Sequence, residues 1–177
     1  MSADTLILVD EFDREVGQAS KESCHLRPGP LHRAFSVLVF DGPAMLVTQR
    51  SAGKRTWPLF WTNACCSHPR PGEATGAAAK RRLREELGIA CEPRFLYKFR
   101  YQADYDAVVG EHELDWVFAA EYGGPLRPHP DEVADHRFVA LPELERDVVR
   151  EPGRYTPWFR MIVLEHGLRD RLAEAGR

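Results

Sequence analysis

Residues 73–89 read Glu-Ala-Thr-Gly-Ala-Ala-Ala-Lys-Arg-Arg-Leu-Arg-Glu-Glu-Leu-Gly-Ile, and their pattern decides how the 177-residue chain is read. Gly76, Ala79, Leu83 and Leu87 recur at steps of three and four. That spacing predicts an amphipathic helix over Ala74 to Leu87, with Arg and Glu on its outer surface. Gly88 follows as the stop signal, because glycine adopts the left-handed conformation that ends a helix. Glu85 and Glu86 are successive residues, about 100° apart on one turn. Both can therefore rim one cation site while Leu83 and Leu87 face the core. Mg²⁺ takes one or two carboxylates together with phosphate oxygens and water, which suits such a turn. The same residues also make the i, i+4 pairs Arg81–Glu85 and Arg82–Glu86 of an ordinary solvated helix. The helix alone does not choose between the two readings.

Outward from it, the chain alternates short strands with a few helices. Leu6 to Val9 reads as an edge strand. Phe35, Val37 and Val39 alternate against Ser36 and Leu38 within Leu31 to Phe40, and Asp41-Gly42-Pro43 turns that strand into Met45 to Gln49 as a hairpin. Trp57 to Cys66 is aromatic-rich and expected to be extended. Phe95 to Tyr105 and Glu111 to Tyr122 should pair as a long hairpin, followed by a strand at His136 to Ala140 and a short helix opened by Pro142-Glu143-Leu144. From Pro157, the residues Trp158, Met161, Leu164, Leu168 and Leu172 mark one amphipathic helix with Gly167 as its weak point. Strands with interspersed helices, without regular βαβ alternation, predict a mixed α/β sandwich.

Composition narrows the function classes. Hydrophobic residues are 44% and charged residues 29% of the chain, and 24 basic against 27 acidic residues give a net charge of −3. That balance excludes a protein held to nucleic acid by bulk charge. No apolar run approaches the ~18 residues of a membrane-spanning helix, and early acidic residues such as Asp10, Glu11 and Asp13 fit no secretory signal. Four cysteines, two of them adjacent as Cys65-Cys66, read as reduced thiols of a cytoplasmic protein. Residues 1–177 are expected to form one domain, with a segment 1–21 that is mobile until substrate orders it.

The spacing of Glu73, Arg81, Leu83, Glu85, Glu86, Gly88 and Ile89 resembles the Nudix box, a loop–helix–loop that holds divalent metal beside a diphosphate. Two positions depart from it: Ser67 stands for the opening Gly, and Arg82 for the Glu that follows the Arg. The flanking residues extend the resemblance. They are His25, His32, Trp57-Pro58, Trp61-Thr62-Asn63, Cys66-Ser67-His68-Pro69, Tyr101, Glu111-His112-Glu113 and Thr156-Pro157-Trp158. From about Ile7 to Trp158 the chain is similar to the type I isopentenyl-diphosphate Δ-isomerases, Nudix-fold enzymes that interconvert isopentenyl and dimethylallyl diphosphate without hydrolysis. A Nudix-like α/β/α sandwich is the fold this implies, and a small-molecule diphosphate is the implied partner. Neither nucleic acid nor membrane is expected as a partner, and the protein would be a monomer or weak homodimer. The rival readings are a Nudix hydrolase of a nucleoside diphosphate derivative, against which Arg82 argues, and a catalytically silent metal-binding module.

The resemblance assigns roles residue by residue. His25, His32, His68, Glu111 and Glu113 correspond to ligands of a Mn²⁺ or Zn²⁺ site. Three imidazoles and two carboxylates suit such an ion and exclude Ca²⁺. Glu111 and Glu113 are two apart, so a strand would point both to one face. Glu86 and the Cys66 backbone carbonyl correspond to contacts of a Mg²⁺ that accompanies the substrate diphosphate. Cys66 matches the catalytic cysteine, with Glu113 and Tyr101 as the proton-transfer pair on the opposite face of the substrate. Trp158 is placed to stabilise a carbocation. Lys21, Arg50, Lys54 and Arg82 stand at diphosphate-contacting positions. Cys24, Cys65 and Cys91 read as small hydrophobes, and His112, His129, His136 and His166 match no ligand position.

Overall fold

In the computed structural model, which describes residues 5–176, nine strands join one sheet that is flanked by helices. The sheet is assembled on β3 (His32–Asp41). That strand pairs antiparallel with β1 (Thr5–Val9), β4 (Ala44–Arg50) and β6 (Cys65–Ser67), and parallel with β8 (Gly110–Glu121). The parallel register runs from His32 opposite Glu113 to Phe40 opposite Glu121. β7 (Arg94–Asp104) lies antiparallel on the other side of β8 and forms the long hairpin expected there. β5 (Trp61–Asn63) and β9 (Val133–Ala140) both pair with β4.

Alternation along β3 sorts the core into two layers, because successive strand side chains point to opposite faces. Phe35, Val37 and Val39 share one core with Ala78, Ala79, Leu83 and Leu87 of α2 (Thr75–Leu87). Leu38 and Phe40 share the other with Leu144 of α3 (Leu141–Arg150), Phe159 and Ile162 of α4 (Pro157–Leu164), and Leu172 of α5 (Leu168–Glu174). Helices therefore cover both faces, as the α/β/α expectation requires. Burying each such Leu or Phe contributes about 1.5–3 kcal/mol. α2 ends where expected. Gly88 takes φ 70°, its N–H donates to the Arg84 carbonyl at 3.1 Å, and the Ile89 N–H donates to that of Leu83 at 3.2 Å. A Cβ on Gly88 would also lie 2.9 Å from Arg127 Cβ, so conformation and space both demand glycine.

Three local expectations are corrected. Leu6 to Val9 is not an edge: β1 lies between β3 and β2 (Glu15–Ser20), and β2 is the outer strand. Residues 5–20 form this hairpin and run on into α1 (Lys21–His25). Of the segment 1–21, residues 1–4 lie outside the described residues. Trp57 to Cys66 is not one extended run, since Trp57 and Leu59 adopt φ values of 44° and 62°. Their aromatic and branched side chains favour strand, but the Arg50 guanidinium donates to the carbonyls of Thr56 at 2.9 Å and Trp57 at 3.1 Å and holds a tight loop instead. The apolar stripe from Pro157 is two helices, not one. α4 stops at Leu164 with Glu165 as its C-cap, and Gly167, at φ 60°, is the left-handed residue from which α5 starts.

Glu73 braces the loop that feeds α2. Arg81 donates to both of its oxygens, at 2.8 and 2.9 Å, and the Arg70 N–H donates to it at 3.0 Å. The Arg81 guanidinium holds the Glu73 carboxyl below the usual carboxylate range. Glu73→Gln should therefore lower the unfolding free energy at neutral pH by about 1 kcal/mol or less, since solvent screens the pair. A depressed native pKa contributes stability above the ordinary value, and that contribution is lost as pH falls through the native one. Urea midpoints of the two proteins should converge in acid. A gap that widened there would rule out a charge-based brace.

Candidate active site and metal centre

One cavity of about 530 Å³ is lined by residues of α1, β3, β6, α2, β7, β8 and α4, and three contact groups meet in it. The first follows from the sheet register. His32 on β3 and Tyr101 on β7 are the cross-strand neighbours of Glu113 on β8, so an imidazole, a carboxylate and a phenol line up across three strands. His25 arrives from α1 and His68 from just beyond β6. Ligand atoms of His25, His32, His68 and Glu113 all lie within 4.8 Å of one another. His68 Nε2 is 2.8 Å and His32 Nε2 3.4 Å from Glu113 Oε1. Glu111 stands beside this group, with Oε2 2.8 Å from His25 Nε2 and Oε1 accepting from Thr56 Oγ1 at 3.2 Å.

The donor set fits a divalent cation. His25 Nδ1 donates to the Lys21 carbonyl at 2.7 Å and His32 Nδ1 to that of Pro30 at 3.0 Å, which makes Nε2 the atom that each neutral ring would offer to a cation. His32 Nε2 is buried with no hydrogen-bond partner, which suits a ligand better than a folding contact. Burial pushes the His68 imidazole down to about 3 despite the pull of Glu113, so it is neutral, as a ligand must be. Burial alone would raise Glu113, but His32 and His68 hold it well below the usual range, and it stays ionised.

The second group surrounds Cys66. Neighbours on a strand face opposite ways, and the two thiols do so. Cys66 Sγ meets Ser36, Thr62, Asn63 and Trp158, whereas Cys65 packs under α2 with its thiol 3.4 Å from Glu86 Oε1. The Cys66 thiol donates to Asn63 Oδ1 at 2.9 Å, and Trp158 Nε1 donates to the sulfur at 3.1 Å. Burial, reinforced by the Asp115 carboxyl, pushes that thiol up to about 12. It is a protonated acid at neutral pH. Tyr101 donates to Glu113 Oε2 at 2.5 Å, and burial followed by the adjacent Glu113 charge raises its phenol well above the ordinary value. The Trp158 ring has the Arg50 guanidinium 5.4 Å from its centroid.

The third group is ionic. Lys21, Arg50, Lys54 and Arg82 all line the cavity. Arg82 pairs with Glu86 at 2.6 Å and with Glu132 at 3.0 Å, and Lys54 pairs with the other oxygen of Glu132. Glu86 is buried, and burial raises its carboxyl against the pull of Arg82. Glu85 does not share its site, which corrects the expectation of two carboxylates on one rim. Its side chain is 41% exposed and pairs with Arg81 at 3.2 Å and Arg82 at 2.9 Å. A rotation of about 100° per residue carries it across the boundary between protein and water.

Cys24, Cys65 and Cys91 are free thiols outside the cavity lining, and His112, His129, His136 and His166 lie outside the ligand group. Sequence reasoning missed several contributors. Asn63 and Ser36 hold the Cys66 thiol, and buried Asp115 accepts from Ser36 Oγ at 2.8 Å. Glu132 pairs with two of the expected diphosphate cations. Of these, only Asn63 carried a signal, three residues ahead of Cys66 inside the quoted motif.

A family model for the NUDIX domain matches residues 30–159. The chain is 46% identical over 157 residues to isopentenyl-diphosphate Delta-isomerase 2 of Aromatoleum aromaticum, covering 88% of this chain and 82% of that one. It is 45% identical to the isopentenyl-diphosphate Delta-isomerase of Nocardia farcinica, covering 88% and 90%. Among solved structures, a Deinococcus radiodurans protein superposes with a TM-score of 0.74 at 18% identity, over 90% of this chain and 96% of that one. A MutT NUDIX hydrolase from Burkholderia pseudomallei superposes with a TM-score of 0.62 at 22% identity, over 77% and 98%. At those identities the structural likeness speaks for the fold alone.

The ligand geometry makes a direct prediction. His25→Ala should weaken binding of Zn²⁺ or Mn²⁺ by at least about tenfold, read as metal content after dialysis. His112→Ala should leave it unchanged, since His112 Nδ1 is engaged with the Gly29 carbonyl at 3.0 Å. Equal metal content in the two variants would remove His25 from the ligand set.

Proposed function

The chain belongs to the NUDIX family and, within it, to the isopentenyl-diphosphate Delta-isomerases, and from that membership we infer that it interconverts isopentenyl and dimethylallyl diphosphate. The reaction adds a proton to one end of an unactivated alkene and removes one from the far neighbour of the tertiary carbon. The carbocation-like species between the two steps must be kept from water. The observation that carries the reading is a single cavity lined both by a neutral, partly buried thiol and by an ionised Glu113 hydrogen-bonded to a neutral phenol. Holding two acids protonated beside one base is what bidirectional proton transfer asks of a site.

In this mechanism Cys66 holds the proton on one face of the C5 unit, and the Glu113–Tyr101 pair serves the other. Asn63, as acceptor, and Trp158, as donor, orient the thiol. Trp158 lines the cavity and is backed by Trp57, whose ring meets it edge to face at 5.3 Å, an apolar wall suited to keeping water from the cation. Lys21, Arg50, Lys54 and Arg82 bind the diphosphate. His25, His32, His68, Glu111 and Glu113 would hold Mn²⁺ or Zn²⁺, while Glu86 and the Cys66 carbonyl would hold Mg²⁺ with the diphosphate. Bound there, these ions supply charge that tunes Glu113 and neutralises phosphate oxygens. We take residues 1–177 as one domain acting in the cytoplasm as a monomer or weak homodimer, a setting that the unpaired cysteines support. The hydrolase reading is not favoured, because Arg82 stands where a box carboxylate would be.

The deciding experiment incubates the metal-loaded protein with isopentenyl diphosphate in D₂O and follows the products by NMR. Deuterated dimethylallyl diphosphate should appear with no phosphate release, and phosphate release without isomer would overturn the assignment. Cys66→Ala should cut the rate by about 10²–10⁴-fold or more, whereas Cys65→Ala should keep most of it. Equal losses would move the acid away from Cys66.

Trp158 offers a separate test. If its ring face stabilises the cation, Trp158→Phe should retain part of the turnover and Trp158→Leu much less, with similar melting temperatures and KM. Equal turnover in the two variants would reduce Trp158 to a wall of the cavity.

A further inference from the structure

The cavity contains an acidic residue that neither the proton transfer nor the metal ligation described above uses. Glu132 sits in the turn just before β9 and is held there by two backbone contacts. Its carbonyl accepts from the Ser51 N–H at 3.0 Å, and Ser51 Oγ donates to the Asp131 carbonyl at 2.7 Å, which fixes 131–132 against the turn that carries Lys54. The loop before it is tied to the end of α2, with the His129 N–H donating to the Glu86 carbonyl at 2.7 Å and that of Arg127 to the Leu87 carbonyl at 2.8 Å. The backbone thus delivers the Glu132 carboxylate between two cations from different elements. One oxygen takes the Lys54 ammonium and the other takes Arg82 Nη2 at 3.0 Å. Burial works to raise the Glu132 carboxyl, and Lys54 and Arg82 overcome it and hold it below the usual range.

We propose that Glu132 is a built-in competitor of the diphosphate, an internal anion that occupies Lys54 and Arg82 and makes diphosphate binding depend on a divalent cation. The inference rests on the reading of Lys54 and Arg82 as diphosphate contacts. Two oxygens bridging two cations about as a phosphate would is a charge-assisted arrangement that an incoming anion must break. Arg82 is further engaged by Glu86 and by Glu85, the latter shared with Arg81, so Lys54, Arg82 and the adjacent Arg81 face the three carboxylates Glu132, Glu86 and Glu85. The cluster is near neutral and attracts a bare diphosphate weakly. A divalent cation arriving with the diphosphate compensates the displaced carboxylates, so the pair binds together where either alone binds poorly. Such a lock would also discriminate against anions too weakly charged to recruit a metal.

Calorimetry with inorganic diphosphate tests this on the whole protein. The wild type should bind it in the presence of Mg²⁺ and only weakly without. Glu132→Gln should bind metal-free diphosphate about tenfold tighter than the wild type, and its gain from Mg²⁺ should shrink by about the same factor. Glu132→Asp, which keeps the charge but shortens the reach by one methylene, should move in the same direction by less. Glu92→Gln removes an exposed charge paired with Lys80 and should change nothing. The proposal fails if Glu132→Gln gains no metal-free affinity, or if Glu92→Gln gains as much. It also fails if Glu132→Gln loses affinity only with Mg²⁺ present, which would make Glu132 a metal ligand. Failure of the wild type to bind diphosphate even with Mg²⁺ would instead defeat the underlying assignment of Lys54 and Arg82.

Discussion

Everything at this site hangs on the parallel pairing of β3 with β8. With His32 opposite Glu113, the two strands place an imidazole and a carboxylate side by side, and Tyr101 joins the row from β7. Because side chains alternate with a period of two, a slip of one residue would turn this row into the opposite core layer. The register is secured by what lies further along. Phe35, Val37 and Val39 fit only against α2, and Leu38 and Phe40 only against the C-terminal helices. Core packing and active-site geometry are thus a single constraint. The same strand carries Ser36 opposite Cys66, so the thiol is positioned by that register as well.

The electrostatics follow from this placement. Glu113 is embedded among imidazoles and remains charged, while the partly buried Cys66 and the buried Tyr101 have no cation beside them strong enough to ionise them. One region therefore keeps one acid ionised and two protonated through their immediate neighbours alone. At Arg82 the balance runs the other way, with surrounding carboxylates stabilising a cation that is largely withdrawn from solvent. A carboxylate-rich helix turn has become a place where positive and negative groups nearly cancel.

What the amino-acid sequence made legible is what depends on neighbours within a few residues. The period of α2, its glycine stop, the β7–β8 hairpin and the opposed directions of Cys65 and Cys66 all belong to this class. The ligand and proton-transfer residues were legible only through family resemblance, since no spacing links His25 to Glu113. Features set by long-range partners stayed hidden. Trp57 and Leu59 take left-handed conformations because Arg50 captures the loop carbonyls, a tertiary contact that overrides local preference. Glu85 looked equivalent to Glu86 until the packing of α2 against the sheet showed which one is buried. Asp115 and Glu132 carry no local signal, because their significance lies in Ser36, Lys54 and Arg82, each dozens of residues away.

The opposed faces of the adjacent cysteines bear on redox chemistry. Consecutive Cα atoms across a trans peptide are about 3.8 Å apart, short of the roughly 4.4–6.8 Å span of ordinary disulfides. Here the two sulfurs also diverge across a strand paired to β3. Cys65 therefore cannot serve as a resolving partner for Cys66 unless β6 detaches from the sheet. A Cys66 sulfur oxidised to the sulfenic state has no internal route back through its neighbour, and its recovery depends on a small thiol small enough to enter by the substrate's own path.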